Sequence, residues 1–237
     1  MKEQKIKLAV FDLDNTLAPL GKGIAPSDIA LLKALQARGV TLAVCSGKPV
    51  GYLSGFFRQA ELDELYLVGE NGAVMQKGIE YPPAFYKEIE LSAETKETLC
   101  SLKEEIMRRI DHPFLQPNQF ELTVYPRNDA ELSAVNAILR EREGSMKGVE
   151  IYIHSDCVDF IPMGVTKRSG VERLCETLGI PVDEALSVGD GVNDYPMLAL
   201  TGVSLGINLP DASLVDRNFS GIGEALTYIL QSLDGNS

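Results

Sequence analysis

Leu8-Ala9-Val10-Phe11-Asp12-Leu13-Asp14-Asn15-Thr16 is the stretch that decides the fold. Its first four residues carry no polar alternation, and the segment Ile6 to Phe11 reads as a buried strand. Such strands belong to parallel sheets covered by helices on either side. Working outward, Pro26 to Arg38 has helical character, Val40 to Cys45 reads as a strand, Pro49 to Ala60 as a helix and Leu65 to Val68 as a strand. The rhythm returns late in the chain. Lys167 to Leu178 reads as a helix, Ala185 to Val188 as a strand, Asp194 to Leu200 as a helix and Val203 to Leu205 as a strand, with a closing helix from Gly221. Strand-helix-strand alternation implies right-handed crossovers and a doubly wound, Rossmann-like parallel α/β sheet.

Between these halves the rhythm changes. Tyr81-Pro82-Pro83 and Ile161-Pro162-Met163-Gly164 are expected hinges, since proline and glycine mark loop boundaries. Between them Ala93 to Ile110 and Asp129 to Arg142 read as amphipathic helices. Phe120 to Tyr125 alternates, with Phe120, Leu122 and Val124 on one face and Glu121, Thr123 and Tyr125 on the other. The expectation is a core formed by residues 1–80 and 163–237, with a smaller inserted α/β domain, 81–162, that has an open sheet face.

The chain has 237 residues, 45% of them hydrophobic, enough for a packed core. Its 22 Lys and Arg against 34 Asp and Glu leave a net charge of −12. That excess repels a phosphate backbone or an anionic membrane, and the densest basic groups, Arg108-Arg109 and Lys167-Arg168, are only pairs. No nucleic-acid or membrane partner is expected. Cys45, Cys100, Cys157 and Cys175 lack CxxC spacing, which reads as reduced thiols in a cytoplasmic protein, with no disulfide frame or zinc site. The first apolar run is broken at Asp12 and Asp14, against a signal peptide, and no run approaches the ~20 apolar residues of a membrane span.

Four segments carry chemistry. Asp12 and Asp14 follow the first strand, and in a parallel α/β sheet ligands bind beyond the carboxyl ends of the strands. Two acids that close repel each other unless a cation separates their roles, and magnesium favours such oxygen ligands. Gly189-Asp190-Gly191-Val192-Asn193-Asp194 places two more carboxylates at a strand end. Cys45-Ser46-Gly47-Lys48 offers a hydroxyl and backbone N–H groups, and Thr166-Lys167-Arg168-Ser169-Gly170 a lysine at a helix start, both suited to a phosphate. Taken singly, each is also an ordinary turn, cap or solvated charge.

Their order along the chain resembles the four motifs of the haloacid dehalogenase superfamily of phosphohydrolases. The insert, with Gly69-Glu70-Asn71-Gly72-Ala73 and Val158-Asp159-Phe160, looks like the branch with a type IIB cap. That branch includes Cof-type sugar phosphatases, sucrose-phosphate phosphatase, archaeal phosphoglycolate phosphatases, mannosyl-3-phosphoglycerate phosphatase and eukaryotic phosphomannomutase. The chain departs from it in having Ser46-Gly47-Lys48 where many capped relatives have Thr-Gly-Arg, and in a short cap.

The resemblance implies that Asp12 is a nucleophile forming an aspartyl-phosphate and that Asp14 is the general acid and base. It implies Mg2+ held by Asp12, the carbonyl of Asp14 and Asp190, with Asp194 behind them. Ser46, Gly47 and Lys167 would bind the phosphoryl oxygens, and Asn193 would help to orient the phosphate. Thr16 would tighten the loop. In the cap, Glu121, Thr123, Tyr125 and Arg127, and more weakly His154, are candidates to read the leaving group. The expected activity is magnesium-dependent hydrolysis of a small phosphorylated metabolite, a sugar phosphate or phosphoglycolate, by a monomer or homodimer. Alternatives are a phosphomutase or phosphotransferase, and a non-catalytic phosphate-binding module.

Overall fold

The computed structural model describes residues 5–235. They divide into two compact units, one running to Glu88 and resuming at Thr166, the other Ile89–Val165.

The first unit is built on an eight-stranded sheet. In chain order it uses β1 (Leu8–Phe11), α1 (Pro26–Ala37), β2 (Thr41–Cys45), α2 (Val50–Arg58), β3 (Tyr66–Gly69), β4 (Val74–Lys77) and β5 (Phe85–Glu88). The second unit then contributes α3 (Ala93–Arg109), β6 (Phe114–Leu115), β7 (Leu122–Tyr125), α4 (Asp129–Glu141), β8 (Val149–Ile153) and β9 (Val158–Pro162). The first unit resumes with α5 (Lys167–Leu178), β10 (Ala185–Gly189), α6 (Tyr195–Leu198), β11 (Val203–Ile207), β12 (Arg217–Phe219) and α7 (Ile222–Leu233).

The large sheet has the order β12-β11-β10-β1-β2-β3-β4-β5. From β12 to β3 every neighbour is parallel, as the sequence predicts. Leu8 and Val10 join a cluster with Val171, Leu174 and Cys175 of α5 and Met197 of α6. Ala9 and Phe11 alternate to the other face and are equally buried, so the central strand is covered on both sides. The apolar run of β1 is thereby explained.

The β4–β5 hairpin departs from the expected pattern. Only residues 70–73 separate β3 from β4, too few for a crossover helix, so β4 returns antiparallel and β5 continues the meander. The chain therefore stays on this sheet past the expected hinge at Tyr81-Pro82-Pro83, as far as Glu88. Pro162, expected in the second hinge, closes strand β9 opposite Val149.

The second unit is a four-stranded antiparallel sheet, β6-β7-β9-β8, with two helices packed on it. Leu102 and Ile106 of α3, Val135 and Ile138 of α4, and Val124, Val158 and Phe160 of the strands form its core. Both helices start at side-chain caps. Ser92 accepts from the Thr95 N–H at 3.1 Å, and Asn128 accepts from the Glu131 N–H at 3.0 Å.

Candidate active site

The connections from β1 and β10 leave in opposite directions, to β2 on one side and β11 on the other. A crevice opens beyond the carboxyl ends of two strands that part in this way. Asp12 follows β1 directly, and its N–H bonds the Val188 carbonyl of β10 at 2.9 Å, fixing the carboxylate at that crevice. Asp190 follows β10.

Lys167 arrives at the first position of α5. The helix start is fixed reciprocally: Thr166 Oγ1 accepts from the Ser169 N–H at 3.2 Å, and Ser169 Oγ accepts from the Thr166 N–H at 3.0 Å. One turn on, Gly170 lies against Gly72, and a Cβ on Gly170 would stand 2.6 Å from the Gly72 Cα. That approach brings Lys167 close to the strand ends. Its Nζ, buried, donates to Asp12 Oδ1 at 2.5 Å and to Asp194 Oδ1 at 2.6 Å.

Asp194 is fully buried, and both its oxygens are engaged. While Oδ1 accepts from Lys167, Oδ2 accepts from the N–H groups of Asp190 and Gly191 at 2.9 and 3.0 Å. Gly189 permits this, because a Cβ there would fall 2.5 Å from the Asp194 Cβ. Thr16 Oγ1 donates to Asp190 Oδ1 at 3.0 Å, tying the loop after β1 to the loop after β10. The fifth residue of the D-x-D-x-T stretch is the sequence signal for that bond, and its partner is visible only in the fold.

Carboxylates of Asp12, Asp190 and Asp194 offer oxygens within 4.8 Å of one another. Burial is the main cause of the raised Asp12 pKa, to about 7; Lys167 opposes it, and the negative charges of Asp194 and Asp190 add to it. Burial also raises Asp190, which shares a hydrogen bond with Asp12. Burial works against the charge of Lys167, but Asp12 and Asp194 outweigh it and raise its pKa. Two carboxyl groups that share a hydrogen bond need a proton or a cation between them. This all-oxygen set, with one lysine against three acids, fits a hard divalent ion such as magnesium.

The other predicted residues fall as follows. Asp14 lies outside that carboxylate trio, half-buried and 3.5 Å from Lys48 Nζ. Ser46 is buried at the end of β2, where its Oγ accepts from the Lys48 N–H at 3.3 Å. Gly47 faces Asn71, whose Nδ2 would be 3.3 Å from an added Cβ. Asn193 is exposed, its Oδ1 folded over Gly191. Burial pushes the Cys45 thiol up to about 12, so this residue packs and is not a nucleophile.

Glu70 and Asn71 are the structural surprise. Both have positive φ, 50° and 52°, a conformation costly for residues with a Cβ. They are held there because the Glu70 N–H bonds the Lys48 carbonyl and the Asn71 N–H bonds the Ser46 carbonyl, each at 3.0 Å. This turn props the Ser46–Lys48 loop. An Asn-Gly pair one residue past the end of β3 is its sequence signal.

In the inserted unit the polar strand face is internally bonded. Asn118 Nδ2 donates to Glu121 Oε1 at 3.1 Å and to Thr123 Oγ1 at 3.0 Å, and Tyr125 donates to Gln116 Oε1 at 3.2 Å. Arg127 is exposed, with its guanidinium committed to Glu131 at 2.7 Å. His154 pairs with Asp159 at 3.1 Å.

A family model described as haloacid dehalogenase-like hydrolase matches residues 9–106 and 106–209, and the chain belongs to that family. A phosphoglycolate phosphatase of Methanopyrus kandleri is 26% identical over 96% of this chain and 98% of the relative. Among solved structures, a haloacid dehalogenase-like hydrolase from Bacteroides thetaiotaomicron superposes with a TM-score of 0.78 at 19% identity, covering 95% of this chain and all of that one. A sugar phosphatase of haloacid dehalogenase subclass IIB superposes with a TM-score of 0.67 at 20% identity, covering 94% and 98%. The fold is that of the subclass IIB phosphatases.

Proposed function

We propose that this chain is a magnesium-dependent phosphomonoesterase that passes a phosphoryl group from a small phosphorylated metabolite through Asp12 to water. The observation that carries the reading is the buried Asp12 carboxylate at the sheet's switch point, gripped by Lys167 and flanked by Asp190 and Asp194. The phosphatase names of full-length relatives favour the same class, and phosphoglycolate or a sugar phosphate is the substrate type they point to.

Magnesium would be held by Asp12, the Asp14 carbonyl and Asp190, where its charge lets an anionic carboxylate approach an anionic phosphate. Asp12 forms a bond to phosphorus as the bond to the leaving oxygen breaks, and Asp14 gives that oxygen a proton. Asp14 then takes a proton from water, whose oxygen displaces the Asp12 carboxylate and releases phosphate. Lys167 stays charged, orients Asp12 and offsets charge on the phosphoryl oxygens. Ser46 and Gly47, at the end of β2, would complete the binding of the phosphoryl oxygens. Asp194 fixes Lys167 and the Asp190 loop, which is why it serves better as an orienting group than as a ligand.

Asp12→Asn should abolish turnover of an aryl phosphate while leaving the unfolding transition cooperative. Substantial phosphate release by that variant would refute the nucleophile assignment. Release of inorganic phosphate, measured beside any isomerised sugar phosphate, separates hydrolysis from phosphoryl transfer to a sugar.

A further inference from the structure

We propose that the tip of the β8–β9 hairpin binds a zinc-class divalent ion through His154, Cys157 and Asp159, a site distinct from the carboxylates of the core. The backbone builds the site. β8 and β9 pair antiparallel with Tyr152 opposite Asp159 and Ile153 opposite Val158, and the His154 N–H bonds the Cys157 carbonyl at 2.9 Å across the two-residue turn Ser155-Asp156. Alternation sends Ile151, Val158 and Phe160 into the core of this unit. The same alternation leaves His154, Cys157 and Asp159 together on the other face.

Their donor atoms converge. An imidazole nitrogen, a thiol sulfur and a carboxylate oxygen all lie within 4.8 Å of one another, with His154 Nε2 3.1 Å from Asp159 Oδ2. Bond lengths of about 2.0–2.3 Å to nitrogen, oxygen and sulfur in a tetrahedral ion require donors roughly 3.3–3.7 Å apart. Closing on an ion therefore needs shifts of about an ångström, within reach of side chains at a hairpin tip. Cys157 is buried at the base while His154 is exposed, so the ion would enter from the solvent side and keep one position for water.

The donor types choose the ion. A thiolate with an imidazole disfavours magnesium and calcium and suits zinc, and a His-Cys-Asp set leaves the open fourth position of a three-ligand zinc site. Cysteine spacing along the chain gives no sign of this site, because only one of its ligands is a cysteine. Here strand pairing assembles the ligands.

The test uses the full chain saturated with magnesium, with cobalt(II) alone as the spectroscopic probe. One equivalent should produce a thiolate-to-cobalt charge-transfer band and tetrahedral visible bands, both removed by one equivalent of zinc. Cys157→Ser should lose the charge-transfer band and His154→Ala should weaken cobalt binding, whereas Cys100→Ser should keep the band. Zinc should raise the Tm of the wild type and leave that of Cys157→Ser unchanged. No band in the wild type, or a band that survives Cys157→Ser, overturns the site. Because the readout is thiolate spectroscopy, that failure leaves magnesium-dependent phosphate release untouched, and the two readings fall separately.

Discussion

Replacing Lys167 by methionine removes a buried cation of similar length and leaves two buried carboxylates facing each other without it. Lys167 Nζ stands 2.5 Å from Asp12 and 2.6 Å from Asp194, and Asp12 and Asp194 are 5% and 0% exposed. Taking one partner from a buried ion pair costs about 3–5 kcal/mol, because the charge left behind stays desolvated. At 2–4 °C per kcal/mol for a chain of this size, Tm should fall by roughly 6–20 °C. The loss should also depend on pH. The folded Asp12 pKa, near 7, lies above its ordinary 3.8, so the folded state binds the extra proton between those values. Stability of the metal-free protein should therefore fall as pH rises from about 4 through 7. Without the lowering influence of Lys167 the Asp12 pKa rises further, and at low pH a proton takes the place of the lost cation. Lys167→Met should thus cost less at pH 6 than at pH 8, and adding Asp194→Asn should restore part of the loss. Urea unfolding of the metal-free proteins at both pH values measures this. A variant within about 1 kcal/mol of wild type at pH 8, or one hurt more at pH 6, would contradict a buried Lys167 that neutralises Asp12 and Asp194.

Excess EDTA should abolish aryl phosphate hydrolysis and magnesium should restore it; hydrolysis that persists would exclude the metal-assisted route. Gly170→Ala places a Cβ 2.6 Å from the Gly72 Cα, so thermal unfolding should show a loss of about 1–3 kcal/mol and kcat should fall as α5 shifts Lys167. Thr16→Val deletes the hydroxyl that orients Asp190 at 3.0 Å, and a magnesium titration of activity should show half-saturation at a higher magnesium concentration, with kcat largely kept at saturation. With Asp12→Asn, these variants separate the nucleophile from the groups that position it.

The frame of the protein and the chemical groups placed on it are legible in local sequence pattern. The apolar runs of β1, β2, β3 and β10 reveal a parallel sheet because strands covered on both faces cannot carry polar alternation. The acids at their ends were legible as chemical groups because each directly follows such a run. α3 and α4 were legible from their 3.6-residue period, whereas two-residue β6 and three-residue β12 are too short to show any period. The β4–β5 hairpin has no such signature either, and it carries the chain along the core sheet as far as Glu88. Which groups meet depends on how the segments pack. Lys167 is 155 residues from Asp12, and its reach depends on the Gly72–Gly170 approach of two segments far apart in the chain. Likewise His154, Cys157 and Asp159 become neighbours only through antiparallel register. Local pattern records how each segment is buried, but contacts between segments depend on crossovers and register that no single stretch encodes.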